Sequence, residues 1–138
     1  MKKSLKPLLN DDLIIAVCLN GGGDMQMATK ENVNFTWKIG IEDPDKINKY
    51  CATVELANGA LATSGFSKRG RHVKQKNNSQ VKQVTIVSKD LSVADVWATA
   101  GLSGTSDDLK DMISKNHLSG FFVDHYGPQF FDYGELRV

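Results

Sequence analysis

The residues best placed to do chemistry are an aspartate and a threonine four positions apart, Asp95 and Thr99, within the stretch 92–101. Ser92 and, three positions on, Asp95 form the Ser-x-x-acid signature of a helix start. A helix from there sets Asp95 and Thr99 one turn apart on one face. Val93, Val96, Trp97 and Ala100 fall on the other side and are expected to bury against a sheet. Ala94 and Ala98 are small enough to admit a ligand beside the pair. A carboxylate and a hydroxyl are hard oxygen ligands and suit Mg²⁺, which takes one or two protein oxygens and completes its octahedron with water and phosphate. Spacing alone leaves a plainer reading open, in which Asp95 caps the first turn and Thr99 bonds back to a carbonyl.

The other titratable candidate is His72. It lies in a stretch, residues 56–89, that has no acidic residue but carries Lys68, Arg69, Arg71, Lys74, Lys76, Lys82 and Lys89. Cationic neighbours disfavour the imidazolium, leaving a neutral ring able to accept a proton or bond a phosphate-bearing ligand. A surface or packing histidine is the plainer reading. The positive stretch could receive a pyrophosphate or a nucleic-acid backbone, or simply be a solvated loop. No aromatic residue interleaves with the cations after Phe66, so nucleic acid is the weaker of the two specific readings. His117 and His125 lack metal-ligand spacing with any Cys or His.

These residues need elements to hold them. Residues 5–9 read as the tail of a helix, which makes the chain look cut at its start. The apolar run 13–19 reads as a strand buried on both faces. It ends at Asn20-Gly21-Gly22-Gly23-Asp24, where glycines permit positive φ; a bare turn and a ligand-facing loop are both open, and the GxGxxG dinucleotide spacing is absent. Short strands follow at 25–28 and 35–41. Segments 50–56 and 60–63 flank Asn58-Gly59, the strongest short-range hairpin signal. A strand within 80–88 feeds the helix already described, and Thr105-Ser106-Asp107-Asp108 opens another through Leu109, Met112 and Ile113. The acidic first turn of that helix complements its dipole, so Asp107 and Asp108 are assigned no chemistry. A final hairpin turns at Tyr126-Gly127-Pro128. The expected class is α+β, a mostly antiparallel sheet with two helices packed on it, over a single domain of residues 1–138.

Composition sets bounds. A chain of 138 residues is large enough for one core. Its net charge of +1 implies no global field for polyanions. No apolar run is long enough to cross a membrane, and no secretory h-region follows Lys2 and Lys3. The chain as given reads as cytoplasmic; a longer precursor would allow a membrane-anchored lipoprotein. Cys18 and Cys51 have no CxxC spacing. Cys18 reads as a free buried thiol, with a disulfide between the two left open.

Five motifs appear in an order that resembles the FAD:protein FMN transferase family, also called ApbE-type or thiamine-biosynthesis lipoproteins. They are Leu19-Asn20-Gly21-Gly22-Gly23-Asp24, Trp37-Lys38-Ile39-Gly40-Ile41-Glu42-Asp43-Pro44, Ala62-Thr63-Ser64-Gly65, His72-Val73 and Ala94-Asp95-Val96-Trp97-Ala98-Thr99. The resemblance covers the C-terminal half of the family's usual length. It implies Mg²⁺-dependent cleavage of the FAD pyrophosphate and attachment of FMN to a Thr or Ser of an acceptor protein. By it, Asp95 and Thr99 would ligate Mg²⁺, His72 would be catalytic and sit by the flavin nucleotide, and Val73, Ser64 and Gly65 would contact the cofactor. Ala98 stands where some members carry a further acidic residue. Gln75-Lys76 and Ser79 replace an Asp-Pro and a later Gly that usually follow His72-Val73. The family's N-terminal half is missing, which leaves open a half inactive alone, one completed by a second chain, or a cut chain; the alternative function is a non-catalytic flavin-, nucleotide- or partner-binding remnant.

Overall fold

The computed structural model describes residues 5–65 and 81–137. Leu5 is helical and leads into a short 3₁₀ helix at Lys6–Asn10, which precedes the strands. These are β1 (Ala16–Gly21), β2 (Asp24–Thr29), β3 (Trp37–Glu42), β4 (Tyr50–Leu56), β5 (Gly59–Gly65), β6 (Gln83–Ser88), β7 (Ser119–Asp124), β8 (Gly127–Asp132) and β9 (Glu135–Leu136). Helices α1 (Leu91–Leu102) and α2 (Ser106–Asn116) lie between β6 and β7. The fold is α+β, as expected. Seven strands form one antiparallel sheet in the order β1-β2-β5-β6-β7-β8-β9, and β3 and β4 form a separate two-stranded sheet.

Side-chain alternation along the central strands explains the layering. Ala60, Ala62, Val84, Ile86 and Phe122 share a core with Leu91, Ala94, Ala98, Leu102, Leu109 and Ile113 of the helices. The intervening Leu61, Phe121 and Val123 pack with Met27 against Ile39 and Ile41 of β3. Helices therefore cover one face of the sheet and the β3–β4 hairpin the other.

Several expectations are corrected. The 13–19 run is not a strand buried on both faces. Strand β1 starts at Ala16 on the sheet edge, and Leu13 is 92% exposed, Ile15 48% and Leu19 43%. Asn58-Gly59 closes no hairpin, because β4 pairs with β3 while β5 pairs with β2 and β6. A type I′ turn needs positive φ at both central residues. Gly59 has φ +122°, but Asn58 is not in that region; its side chain instead accepts the Thr29 N–H at 3.0 Å. The tight turn is Gly22-Gly23, φ 70° and 103°, which joins β1 to β2 through the facing pair Gly21 and Asp24. Asn20 Oδ1 fixes it by accepting the Gly23 N–H at 2.9 Å. The last hairpin turns at His125-Tyr126, with Gly127 and Pro128 already in β8. Neither cysteine is in a disulfide, and both are half-buried rather than sealed in the core.

Candidate functional site

Helix α1 begins earlier than the Ser92–Asp95 signature suggests. Asp90 is its N-cap, accepting from the Ser92 N–H at 2.9 Å and from the Ser92 hydroxyl. Those bonds hold the Asp90 carboxyl below its ordinary value. The helix face that meets the sheet is also not the expected one. Leu91, Ala94, Ala98, Gly101 and Leu102 are buried, whereas Val93 and Val96 are 46% and 62% exposed. Trp97 is packed at the core margin. Small residues win because α1 shares its core with Ala60 and Ala62 of β5, where alanine against alanine lets helix and sheet approach closely. Ala94 and Ala98 are therefore filled contacts, not room for a ligand.

This rotation leaves Asp95 half-buried and Thr99 exposed along one flank of α1, about 6 Å apart along the helix axis. The Thr99 hydroxyl lies 3.3 Å from the hydroxyl of Ser64, a buried residue on β5. Ser64 and Thr99, 35 positions apart in sequence, thus meet at a helix–sheet junction, with Asp95 one turn away on α1. Gly65, next to Ser64, faces Gln83 of β6, and a Cβ there would lie 3.3 Å from the Lys82 carbonyl oxygen. His72 and Val73 lie outside the described residues, as do Lys68, Arg69, Arg71, Lys74 and Lys76. Lys82 is paired with Asp45 at 2.7 Å.

Two β2 residues not named as site candidates from the sequence bond to the elements that carry Ser64 and Thr99. Asp24 Oδ1 accepts the Thr63 N–H at 3.1 Å, one residue before Ser64. Gln26, 1% exposed, accepts the Leu91 N–H at 3.1 Å and donates to the carbonyls of Gly59 at 3.0 Å and Lys89 at 3.3 Å. The polar-apolar alternation Asp24-Met25-Gln26-Met27 is the signal that places both on one face. A cavity of about 930 Å³ opens beside Gln26, Thr29, Lys30 and Lys89. Ser64, Gly65, Asp95 and Thr99 are not among its lining residues.

Among the described residues no three His, Cys, Asp or Glu side chains cluster as a metal cage. The candidate donors, the Asp95 carboxylate and the Thr99 and Ser64 hydroxyls, are hard oxygens, a set that excludes thiophilic metals. It fits Mg²⁺, which needs few protein oxygens when phosphate and water fill the remaining positions.

The family model described as the ApbE family matches residues 3–122. No curated protein sequence matches significantly. Among solved structures, the ApbE protein of Thermotoga maritima is 24% identical with a TM-score of 0.65, over 81% of this chain and 41% of that one. The apo form of Pseudomonas stutzeri flavinyl transferase ApbE is 21% identical, TM-score 0.61, over 79% and 36%. Flavin transferase ApbE of Vibrio cholerae is 17% identical, TM-score 0.57, over 84% and 41%. These likenesses establish a shared fold, and the chain spans about two-fifths of the length of the proteins it matches.

Proposed function

The chain belongs to the ApbE family, and from that premise we propose that it forms the C-terminal part of an FAD:protein FMN transferase. The Pseudomonas protein that shares its fold is a flavinyl transferase and the Vibrio protein a flavin transferase. The observation that carries the reading furthest is the Ser64–Thr99 hydroxyl contact at 3.3 Å, with Asp95 one turn away on the same flank of α1.

In the proposed reaction the hydroxyl oxygen of an acceptor Thr or Ser bonds to the FMN phosphorus of FAD. The bridging phosphorus–oxygen bond breaks, AMP departs with the bridging oxygen, and the hydroxyl proton passes to a base. His72 is assigned as that base by the family resemblance, with Val73, Ser64 and Gly65 beside the nucleotide. Asp95 and Thr99 would hold Mg²⁺, which when bound neutralises charge on the pyrophosphate. Their carboxylate and hydroxyl are preorganised for it, because both stand on a helix whose first turn is capped by Asp90 and whose buried face is fixed to β5. Residues outside this chain, supplied by an N-terminal segment or a second chain, would complete the FAD site.

The second reading is a non-catalytic flavin-, nucleotide- or partner-binding remnant of the family. One experiment separates the two. The purified chain is mixed with FAD, Mg²⁺ and an acceptor domain, and a fluorescent flavin band is sought after denaturing electrophoresis. A band that disappears with EDTA and with Asp95→Ala supports the transferase. No band, but an FAD-dependent rise in melting temperature, supports the remnant. Neither signal overturns the transferase and the flavin-binding form of the remnant.

A further inference from the structure

Strand β2 carries two polar side chains two positions apart, Asp24 and Gln26, and each grips an element that bears part of the candidate site. Gln26 holds the start of both elements at once, because its amide nitrogen donates to Gly59, the first residue of β5, and its oxygen accepts from Leu91, the first residue of α1. Its third bond, to the Lys89 carbonyl, pins the approach to the helix. Asp24 holds the other end of β5. The β2–β5 register runs only from Met27 opposite Gly59 to Met25 opposite Leu61, and the Asp24 carboxylate takes the Thr63 N–H beyond it. Ser64 and Thr99, the hydroxyls that meet at 3.3 Å, are thus on two elements fixed from one strand.

We propose that Asp24 and Gln26 are positioning residues that set the alignment of β5 against α1, and so place Ser64 beside Thr99. The Gly22-Gly23 turn serves the same end: it places Asp24 opposite Gly21 at the start of β2, where its carboxylate reaches β5. Relevance to metal and flavin rests on the transferase reading; the alignment itself does not.

The test uses a disulfide as a ruler. In a chain carrying Cys18→Ala and Cys51→Ala, the pair Ser64→Cys and Thr99→Cys brings two sulfurs together where two oxygens now touch. Closure in a glutathione buffer is followed by mass spectrometry. Adding Gln26→Ala or Asp24→Ala is expected to slow closure by about tenfold or more, because disulfide bonding demands close geometry. Asp24→Asn keeps an acceptor for Thr63 and is expected to close at the reference rate. Ile113→Val, a core change in α2, controls for lost stability and leaves the rate unchanged. If Gln26→Ala fails to fold, Gln26→Glu, which keeps the acceptor for Leu91 and loses the donors, is expected to give an intermediate rate. A pair that never closes, or closes equally fast in every background, overturns the proposal. Mn²⁺ binding followed by electron paramagnetic resonance tests the reading beneath it. With Ser64 and Thr99 intact, the Gln26→Ala and Asp24→Ala chains are expected to bind Mn²⁺ about tenfold more weakly than the unaltered chain. Failure of the unaltered chain to bind, with closure behaving as expected, removes the metal site and leaves the alignment standing.

Discussion

Thr99 and Asp95 are distinguishable by substitution. Thr99→Ser keeps the oxygen that meets Ser64, whereas Thr99→Val keeps the shape and removes it. Flavin transfer and metal-dependent FAD binding are expected to survive the first change. They are expected to fall by about one order of magnitude or more in the second, read as the Mg²⁺ concentration for half-maximal signal. Among the described glycines, Gly120 leaves the least room for a Cβ. It has φ +146°, and a Cβ there would sit 2.0 Å from the Thr85 carbonyl oxygen across the β6–β7 pairing. Gly120→Ala is therefore expected to cost more than about 4 kcal/mol in a denaturant titration, since the obstacle is backbone and cannot turn aside. Burial raises the Cys18 thiol above 9.0, and burial together with the Asp43 charge raises Cys51 above the same value. Both are expected to react with iodoacetamide at neutral pH more slowly than in denaturant, because the thiolate is the nucleophile.

At the scale of elements, the caps carry measurable weight. Asp90→Ala removes the N-cap of α1 and is expected to lower the melting temperature. The capping box of α2, in which the Thr105 hydroxyl accepts the Asp108 N–H and the Asp108 carboxylate accepts the Thr105 N–H, is expected to show the same direction on Thr105→Ala. It also accounts for the acidic first turn without chemistry. Hairpin β8–β9 supplies a pH signature. The Arg137 hydrogen bond, then that from Ser119, then the Arg137 charge hold the Asp132 carboxyl below its ordinary 3.8. A depressed folded-state value stabilises the fold above 3.8, and that contribution fades as pH falls through the depressed value. Asp90 behaves alike through Ser92. The melting temperature is thus expected to fall more steeply below pH 3.8 in the unaltered chain than in a variant with Asp90→Asn and Asp132→Asn.

Across the whole molecule, the β3–β4 hairpin is a layer in its own right, closing the sheet face opposite the helices. Ile41, 4% exposed, packs there with Met27, Leu61 and Phe121. Ile41→Ala is expected to cost about 2–5 kcal/mol by leaving a cavity between the layers. Among the described residues no helix is long and apolar enough to cross a membrane.

Much of this was legible in the sequence because it depends on local chemistry. Strand alternation, the Thr105 cap, the α+β class and the family motifs follow from neighbours along the chain, and so does the one-turn spacing of Asp95 and Thr99. Other features arise only when distant segments compete for the same space. Which face of α1 is buried was decided by Ala60 and Ala62, more than thirty residues away, which admit alanines and turn Val93 and Val96 outward. The strand partners of β5 were settled by sheet order, which overrode the Asn58-Gly59 turn signal. The meeting of Ser64 with Thr99, and the grip of Asp24 and Gln26 on β5 and α1, are contacts between residues 33 to 65 positions apart, and a period or a turn signature reports only near neighbours.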